Sequence, residues 1–130
     1  MKKRKFAEDT KVPASRSKGH IEELVRKYGS TDVMAGELQG MIAVMFFMNG
    51  RNIRFMVKAP DTEQERRSIY RALLLTIKAK LESQERGIET FEEAFLGQIV
   101  TPNQQTIASQ IVPKIEEVYS GNDVPLLPQC

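Results

Sequence analysis

Five basic residues have types and spacing that could hold phosphate groups. Arg67, Arg71 and Lys78 follow one another at i, i+4 and i+11, which predicts one line of cations along a helix. Arg54 and Lys58 lie on a predicted strand that precedes this helix. Such cations bind phosphate oxygens through charge-assisted hydrogen bonds. If the start of the helix lies beside the end of the strand, all five converge into a ligand site for a nucleic acid or a nucleotide.

The alternative for the helical cations is a solvated face. Glu63, Glu82 and Glu85 lie on the same predicted helix and could form ion pairs with them at a spacing of four residues. Charged stripes on helices are more often solvated faces than ligand sites. Both interpretations remain open at this point.

Residues for catalysis and metal binding are scarce. The chain has one histidine, His20, and one cysteine, Cys130, so neither a multi-Cys/His zinc cluster nor an intrachain disulfide can form within one chain. No Ser-His-Asp set can be placed around His20, and neither common type of Gly-rich phosphate loop occurs. The glutamates between positions 82 and 93 match no magnesium-site arrangement. We therefore expect no enzymatic activity, no metal and no cofactor.

The positive charge is concentrated in one segment. The net charge is +2, but residues 1–18 hold seven basic and two acidic side chains, which gives +5. The remaining residues hold 12 basic and 15 acidic side chains, which gives −3. This distribution argues against a basic face that covers the whole fold. It is typical of a basic arm that contacts a polyanion, or of a solubilising tail.

A long helix over residues 62–86 should form the core of the fold. Its middle part is apolar on more than one side, so other elements must cover it. Thr62 and Glu65 form a candidate capping box at its start, and Gly87 is a typical residue after a helix end.

Three strands precede this helix, at 31–38, 41–48 and 53–58. Asn49-Gly50 is the strongest hairpin signal in the chain, and a two-residue turn there pairs Met48 with Arg51. That register predicts an inner face for the core, composed of Ile42, Val44, Phe46, Ile53, Phe55 and Val57.

The opposite side, here called the outer face, is methionine-rich. It carries Met41, Ala43, Met45 and Phe47 against Asn52, Arg54, Met56 and Lys58, and the first strand adds Met34 and Leu38. An apolar surface of this kind is usually covered. One candidate cover is an amphipathic helix predicted at about 18–28, capped by Ser17. The other is a second copy of the chain or a foreign protein, for which Met41, Met45, Phe47 and Met56 would form the partner interface.

The whole chain fits one α+β domain, a three-stranded antiparallel meander packed on one long helix, with an N-terminal helix and short C-terminal helices. We assign residues 1–17 to a disordered basic arm, 18–121 to the domain and 122–130 to an extended tail. A short helix follows Thr90, and a last helix carries Ile107, Ile111, Ile115 and Tyr119 at intervals of four. Pro113 either kinks this last helix or begins a second one.

Nine segments follow one another in an order that is similar to that of a known family: Ile53–Phe55, Pro60–Asp61, Arg71–Leu75, Ile77–Glu82, Gly87–Ile88, Thr90–Leu96, Ile99–Pro102, Pro113 and Pro125–Pro128. Through them the chain resembles a family of small uncharacterised proteins encoded by bacteriophages and prophages. Relatives often have tryptophan where Tyr70 stands, and a longer insertion where this chain has only residues 59–61. The resemblance implies a phage or prophage origin and action in the cytoplasm of an infected or lysogenic bacterium; it implies no activity.

Two functions fit these observations. The first is a non-catalytic protein that binds nucleic acid or a nucleotide through the five cations. The second is a phage inhibitor of a host anti-phage defence protein, with the outer face and the glutamates at 82, 85, 89, 92 and 93 as contact regions. A homodimer through the sheet is also possible, and no membrane partner is expected because the longest apolar run, 41–48, is too short to span a bilayer.

Overall fold

The fold is a three-stranded antiparallel sheet with helices on one side. The computed structural model describes residues 14–122 and 125–126. The strands are β1 (Val33–Leu38), β2 (Met41–Met48) and β3 (Arg51–Lys58), in the order β1-β2-β3. The helices are α1 (Ala14–Lys27), α2 (Glu63–Glu85), α3 (Phe91–Phe95) and α4 (Ile107–Tyr119), with a 3₁₀ turn at Leu96–Gln98 between α3 and α4. This confirms the predicted α+β class.

Both hairpin turns use two residues with positive φ, and they fix the register. Asn49 and Gly50 have φ of 51° and 74°, and Gln39 and Gly40 have φ of 52° and 77°. Turns of this kind match the twist of the flanking strands. Met48 therefore pairs with Arg51 and Val44 with Phe55, as predicted. The second turn pairs Met34 with Met45, which places Met34 on the predicted outer face. The division of the sheet into an inner and an outer face follows from this register.

The inner face packs into one apolar core with three helices. Phe46, Ile53 and Phe55 are buried in the same cluster as side chains of α1, α2 and α3. Phe95 of α3 is fully buried, and its ring meets those of Phe46 and Phe55 edge-on. The helices contribute to this cluster Ile21 and Val25 from α1, Tyr70, Leu73, Leu74, Ile77 and Leu81 from α2, and Phe91 and Ala94 from α3.

The long helix is continuous, as predicted. The Thr62 side chain accepts a hydrogen bond from the Glu65 backbone N–H, and Gly87 follows the helix with φ of 75°. Both features satisfy backbone groups that a helix end leaves free. Within the described part of the chain, no helix is long and apolar enough to cross a membrane.

The first helix differs from its prediction in its start and in its position. It begins at Ala14, so residues 14–17 belong to the domain and not to the basic arm, and Ser17 lies inside the helix, fully buried, instead of capping it. Ile21 and Val25 join the core on the inner side. The prediction that this helix covers the outer face is therefore wrong. Its amphipathic spacing showed that it packs on something, but not on which surface.

The C-terminal part contains two capped helices. Thr90 and Glu93 form a reciprocal capping box at α3. This helix ends at Phe95 and continues into the 3₁₀ turn. Ile99 and Val100 form isolated bridges to Ile53 and Thr106. One helix, α4, runs through Pro113 without a second start. Positions 1–13 of the predicted arm, and most of the predicted tail, lie outside the described residues.

The α3 capping box predicts a pH-dependent contribution to stability. The Glu93 carboxylate accepts a 2.8 Å hydrogen bond from the Thr90 backbone N–H, and its own backbone N–H donates to Thr90 Oγ1. The hydrogen bond with the Thr90 backbone has the largest effect on the pKa of Glu93, and the one with the Thr90 side chain the second largest. Both lower this pKa from its ordinary value of 4.5. Because the folded-state pKa is the lower one, this contribution is present above about pH 4.5 and is lost as the pH falls through the folded-state pKa.

We therefore expect Glu93→Gln to reduce the difference in unfolding free energy between neutral and acidic pH. Urea titrations of the full chain on both sides of the ordinary glutamate pKa measure this difference. Glu117→Gln is the matched control, because Glu117 is an exposed glutamate of α4 that does not cap a helix. Equal pH dependence in the Glu93→Gln variant and the unaltered chain would contradict the assignment.

Candidate functional site

The outer face forms four rows of side chains across the strands. Three rows run Leu38–Met41–Lys58, Gly36–Ala43–Met56 and Met34–Met45–Arg54. The fourth pairs Phe47 with Asn52. These eleven residues include four methionines, two cations and no carboxylate. The composition is apolar and adaptable, with positive charge confined to the β3 edge.

Large apolar side chains on this face remain open to solvent within the described part of the molecule. Leu38 is 46% exposed, and Phe47 and Met56 are each 42% exposed. Met41 and Met45 are half-buried. Large apolar side chains that are exposed together on one face are typical of an interaction site.

The second row forms a notch in this surface. Gly36 has no side chain, and Ala43 is fully buried beneath its neighbours. A Cβ atom added at Gly36 would meet only Met34 Sδ, at 3.9 Å. The taller residues Met34, Leu38, Met41 and Met45 stand on both sides of this row. Because Ala43 has no exposed surface, its neighbours already cover it, and the notch is open to another molecule above Gly36, which is half-buried.

An open groove of about 740 Å³ adjoins the notch at the end of the sheet that holds Phe47. Met34, Met45 and Phe47 form its apolar wall. Arg54 and Gln104 lie at its other side, where one Arg54 guanidinium nitrogen (Nη2) donates a 2.9 Å hydrogen bond to the Gln104 carbonyl. Asp32 and Arg26 also line the groove, and Arg26 lies 3.6 Å from the Glu22 carboxylate on its own helix. The groove therefore combines an apolar wall with polar groups that are already partly engaged.

The five predicted phosphate-binding cations fall into two groups. Arg54 and Lys58 lie on the outer face. Arg67, Arg71 and Lys78 lie on α2, which packs against the inner face. The sheet separates the two groups, so the single convergent site considered from the sequence does not form. Spacing along the chain placed each set on one line, but it could not give the distance between the lines.

The α2 group also lacks the ion pairs of the alternative interpretation. Among the described residues, no carboxylate lies in salt-bridge range of Arg67, Arg71 or Lys78. Arg67 and Arg71 are half-buried, and Arg67 Nε is buried without a hydrogen-bond partner. Lys78 is exposed. Within residues 14–122, this line of three cations is therefore not paired with a carboxylate, and it is not joined to Arg54 and Lys58.

Most of the predicted acidic contact residues have structural partners. The Tyr28 hydroxyl donates to Glu85 at 2.5 Å, and this hydrogen bond raises the pKa of Tyr28. Glu89 accepts from Ser83 Oγ at 2.7 Å. Glu92 pairs with Arg51 at 3.1 Å, and Glu93 caps α3. These partners link the ends of α1, α2, α3 and β3, which gives the glutamates a stabilising role.

Two features of this region were not predicted from the sequence. The first is Gly36, which lies between Met34 and Leu38; a glycine within a strand is a known sign of close approach by another backbone or ligand. The second is the exposure of α4, which has no buried residue. The available signal was the absence of a further apolar element on which α4 could pack.

Comparison with known proteins gives no relative: no protein-family model matches the chain, and no curated protein and no solved structure matches it. In the described residues, no group of three or more His, Cys, Asp or Glu side chains is placed to hold a metal ion.

Proposed function

We propose that this protein is a non-catalytic binding protein whose outer face is the contact surface for another protein. The observation that supports it is the exposed apolar surface of the outer face, with Met56 in the same row as the Gly36–Ala43 notch and Phe47 two rows away. The centre of a protein interface is typically apolar, depleted in charge and enriched in aromatic residues and methionine. The outer face has this composition, and its two cations lie at one edge.

The resemblance to phage-encoded proteins suggests the class of partner. A phage protein of this size acts inside a bacterium, so the proposed partner is a bacterial host protein, such as one that acts in defence. In this role the chain would block a surface of the host protein by contact, and it would need no catalytic residues of its own.

Site-specific photo-crosslinking tests this proposal. A photo-reactive amino acid is placed at Phe47 or at Met56 in the full chain, which is then expressed in bacterial cells. We expect both positions to give a covalent adduct with the same foreign polypeptide, identified by mass spectrometry. The same amino acid at Thr76, an exposed position of α2, is the matched control. Adducts that form equally at Thr76, or none at either outer-face position, would contradict the proposal.

A second candidate function is binding of single-stranded nucleic acid along α2. The supporting observation is the line Arg67–Arg71–Lys78, which carries no ion pair in the described part of the chain. Unpaired cations along a line can follow a phosphate backbone. The net charge of −3 beyond residue 18 weakens such binding, whereas the basic segment before it would strengthen it.

Salt dependence distinguishes this function from the first. Each phosphate contact on a single strand contributes about −0.7 to the slope of log K against log salt. Replacing Arg67, Arg71 and Lys78 by glutamine should therefore make the slope shallower by about 2 in fluorescence-polarisation titrations with a labelled oligonucleotide. The matched control replaces Arg26, Lys27 and Arg86, three exposed cations outside both the α2 line and the basic segment. An equal change of slope in both variants would argue against a specific role of the α2 line.

A further inference from the structure

Two apolar surfaces of the described chain have no cover, and one of them is a helix. The outer face exposes Leu38, Phe47 and Met56. The helix α4 has no buried residue, although seven of its thirteen residues are apolar or aromatic and lie within one arc of its surface. Val112 is 48% exposed and Ile115 38% exposed. An amphipathic helix is normally stable because its apolar side packs on another element. The residues in the arc are Ile107, Ala108, Ile111, Val112, Ile115, Val118 and Tyr119.

The segment before α4 fixes the direction of the helix. Val100 N–H donates to the Asn52 carbonyl at 2.8 Å, and Ile107 N–H donates to the Ile99 carbonyl at 2.9 Å. The Gln110 side-chain amide then donates to Thr101 Oγ1 at 2.9 Å. At its start α4 rests on the 3₁₀ turn, where Ala108 Cβ would lie 3.4 Å from a Cβ at Gly97. These contacts hold the start of α4 beside the 3₁₀ turn and the end of the sheet that contains Asn52.

The two uncovered surfaces are complementary in charge and in size. The eleven outer-face residues include Arg54 and Lys58 and no carboxylate, and Asp32 lines the adjoining groove. In α4, Glu116 and Glu117 outnumber Lys114; Glu116 borders the apolar arc one turn after Val112, and Lys114 borders its other side three residues after Ile111. A helix of this length spans about 20 Å, and a strand of eight residues spans about 27 Å, so α4 fits along the face. Ile115 and Val112 could pack above Gly36.

We propose that a second copy of this chain covers the outer face, with α4 of each protomer packed on the sheet of its partner. This inference rests on the proposed role of the outer face as a contact surface, and it names one occupant. Each chain carries both surfaces, so a dimer with two-fold symmetry covers the outer face and α4 of each protomer. Such a dimer is closed and leaves neither surface free for a third chain.

The test uses two variants, each altered on one surface only. Val112→Glu places a charge in the arc of α4, and Met56→Glu places one on the outer face. Sedimentation of the unaltered full chain should show a concentration-dependent mass of two chains. Each variant alone should dimerise at least about 100-fold more weakly, because a buried unpaired charge costs several kcal/mol. Thr76→Glu, which adds the same charge on exposed α2, should dimerise normally.

Mixing the two variants is the decisive measurement. In a mixed pair, the unaltered α4 of the Met56→Glu chain meets the unaltered sheet of the Val112→Glu chain. One of the two contacts is restored, so the dimer should partly return. A pair formed through two α4 helices, or through two sheets, would not recover in this way. No recovery on mixing, or a single-chain mass for the unaltered protein at every concentration, overturns the inference.

A cysteine pair gives a second readout that does not depend on the glutamate variants. Val112→Cys and Met56→Cys are placed on separate chains, each with Cys130→Ser, and the mixture is oxidised. A disulfide between the two kinds of chain supports the arrangement, and disulfides only between like chains overturn it. A single-chain mass together with foreign adducts at Phe47 would overturn the pairing and leave the proposed function standing. Adducts at Phe47 that form only with a second copy of the chain would support the pairing and overturn the proposed function.

Discussion

The Phe95→Ala variant is expected to lose about 3–5 kcal/mol of unfolding free energy. Phe95 is fully buried, and its ring centroid lies 5.9 Å from that of Phe46, 6.3 Å from that of Phe55 and 5.0 Å from that of Phe91. Its removal leaves a cavity between α3 and the inner face. Single domains of this size have a net stability of about 5–15 kcal/mol, so the loss is a large fraction of the total. Equilibrium urea unfolding, followed by circular dichroism, measures it.

Phe47→Ala is the matched control. Phe47 has the same side chain as Phe95, but it lies on the outer face and is 42% exposed. It directly follows the buried Phe46 in β2. We expect this variant to lose less than about 1 kcal/mol, since little apolar surface returns to water. Similar losses for Phe95→Ala and Phe47→Ala would mean that the two faces of the sheet are assigned the wrong way round.

The contrast between Phe46 and Phe47 shows why so much of the sheet could be predicted from the sequence. Asn49-Gly50 allows a two-residue turn, and that turn sets the register of every pair in the hairpin. Once Met48 pairs with Arg51, alternation assigns each side chain to one face or the other. The ends of α2 could be predicted for a similar reason. Its start at Thr62 and its end before Gly87 depend on backbone groups whose hydrogen-bond partners lie close by in the sequence.

Arrangements between elements could not be predicted in the same way. The spacing of Ile21 and Val25 predicts an amphipathic helix, but an apolar stripe fits the inner side of the fold as well as the outer face. Arg54 and Arg67 both belong to well-predicted elements, yet the position of the sheet between them depends on how these elements pack. The start of α1 at Ala14 was also missed, because Ser17 is a typical capping residue and nothing nearby in the sequence shows that it is buried.

Gly36→Val is expected to separate binding from stability. Gly36 does not have a left-handed backbone conformation, and a Cβ at this position makes only an ordinary contact with Met34 Sδ at 3.9 Å. A β-branched residue in a strand also restricts the unfolded chain more than glycine does. The fold should therefore be unchanged or more stable by up to about 1 kcal/mol, which urea unfolding measures.

The same substitution should greatly weaken contact with a partner. The two methyl groups of the introduced valine would fill the notch between Met34 and Leu38, and a side chain of the partner could no longer insert there. Overfilling a packed contact costs about 1–3 kcal/mol, so we expect roughly 10- to 100-fold weaker binding and a matching loss of crosslinks from Phe47. Gly36→Ala, which adds one methyl group, should give an intermediate loss. Because the substitution adds neither charge nor strain, normal crosslinking by a stably folded Gly36→Val variant would mean that partners do not use the centre of the outer face.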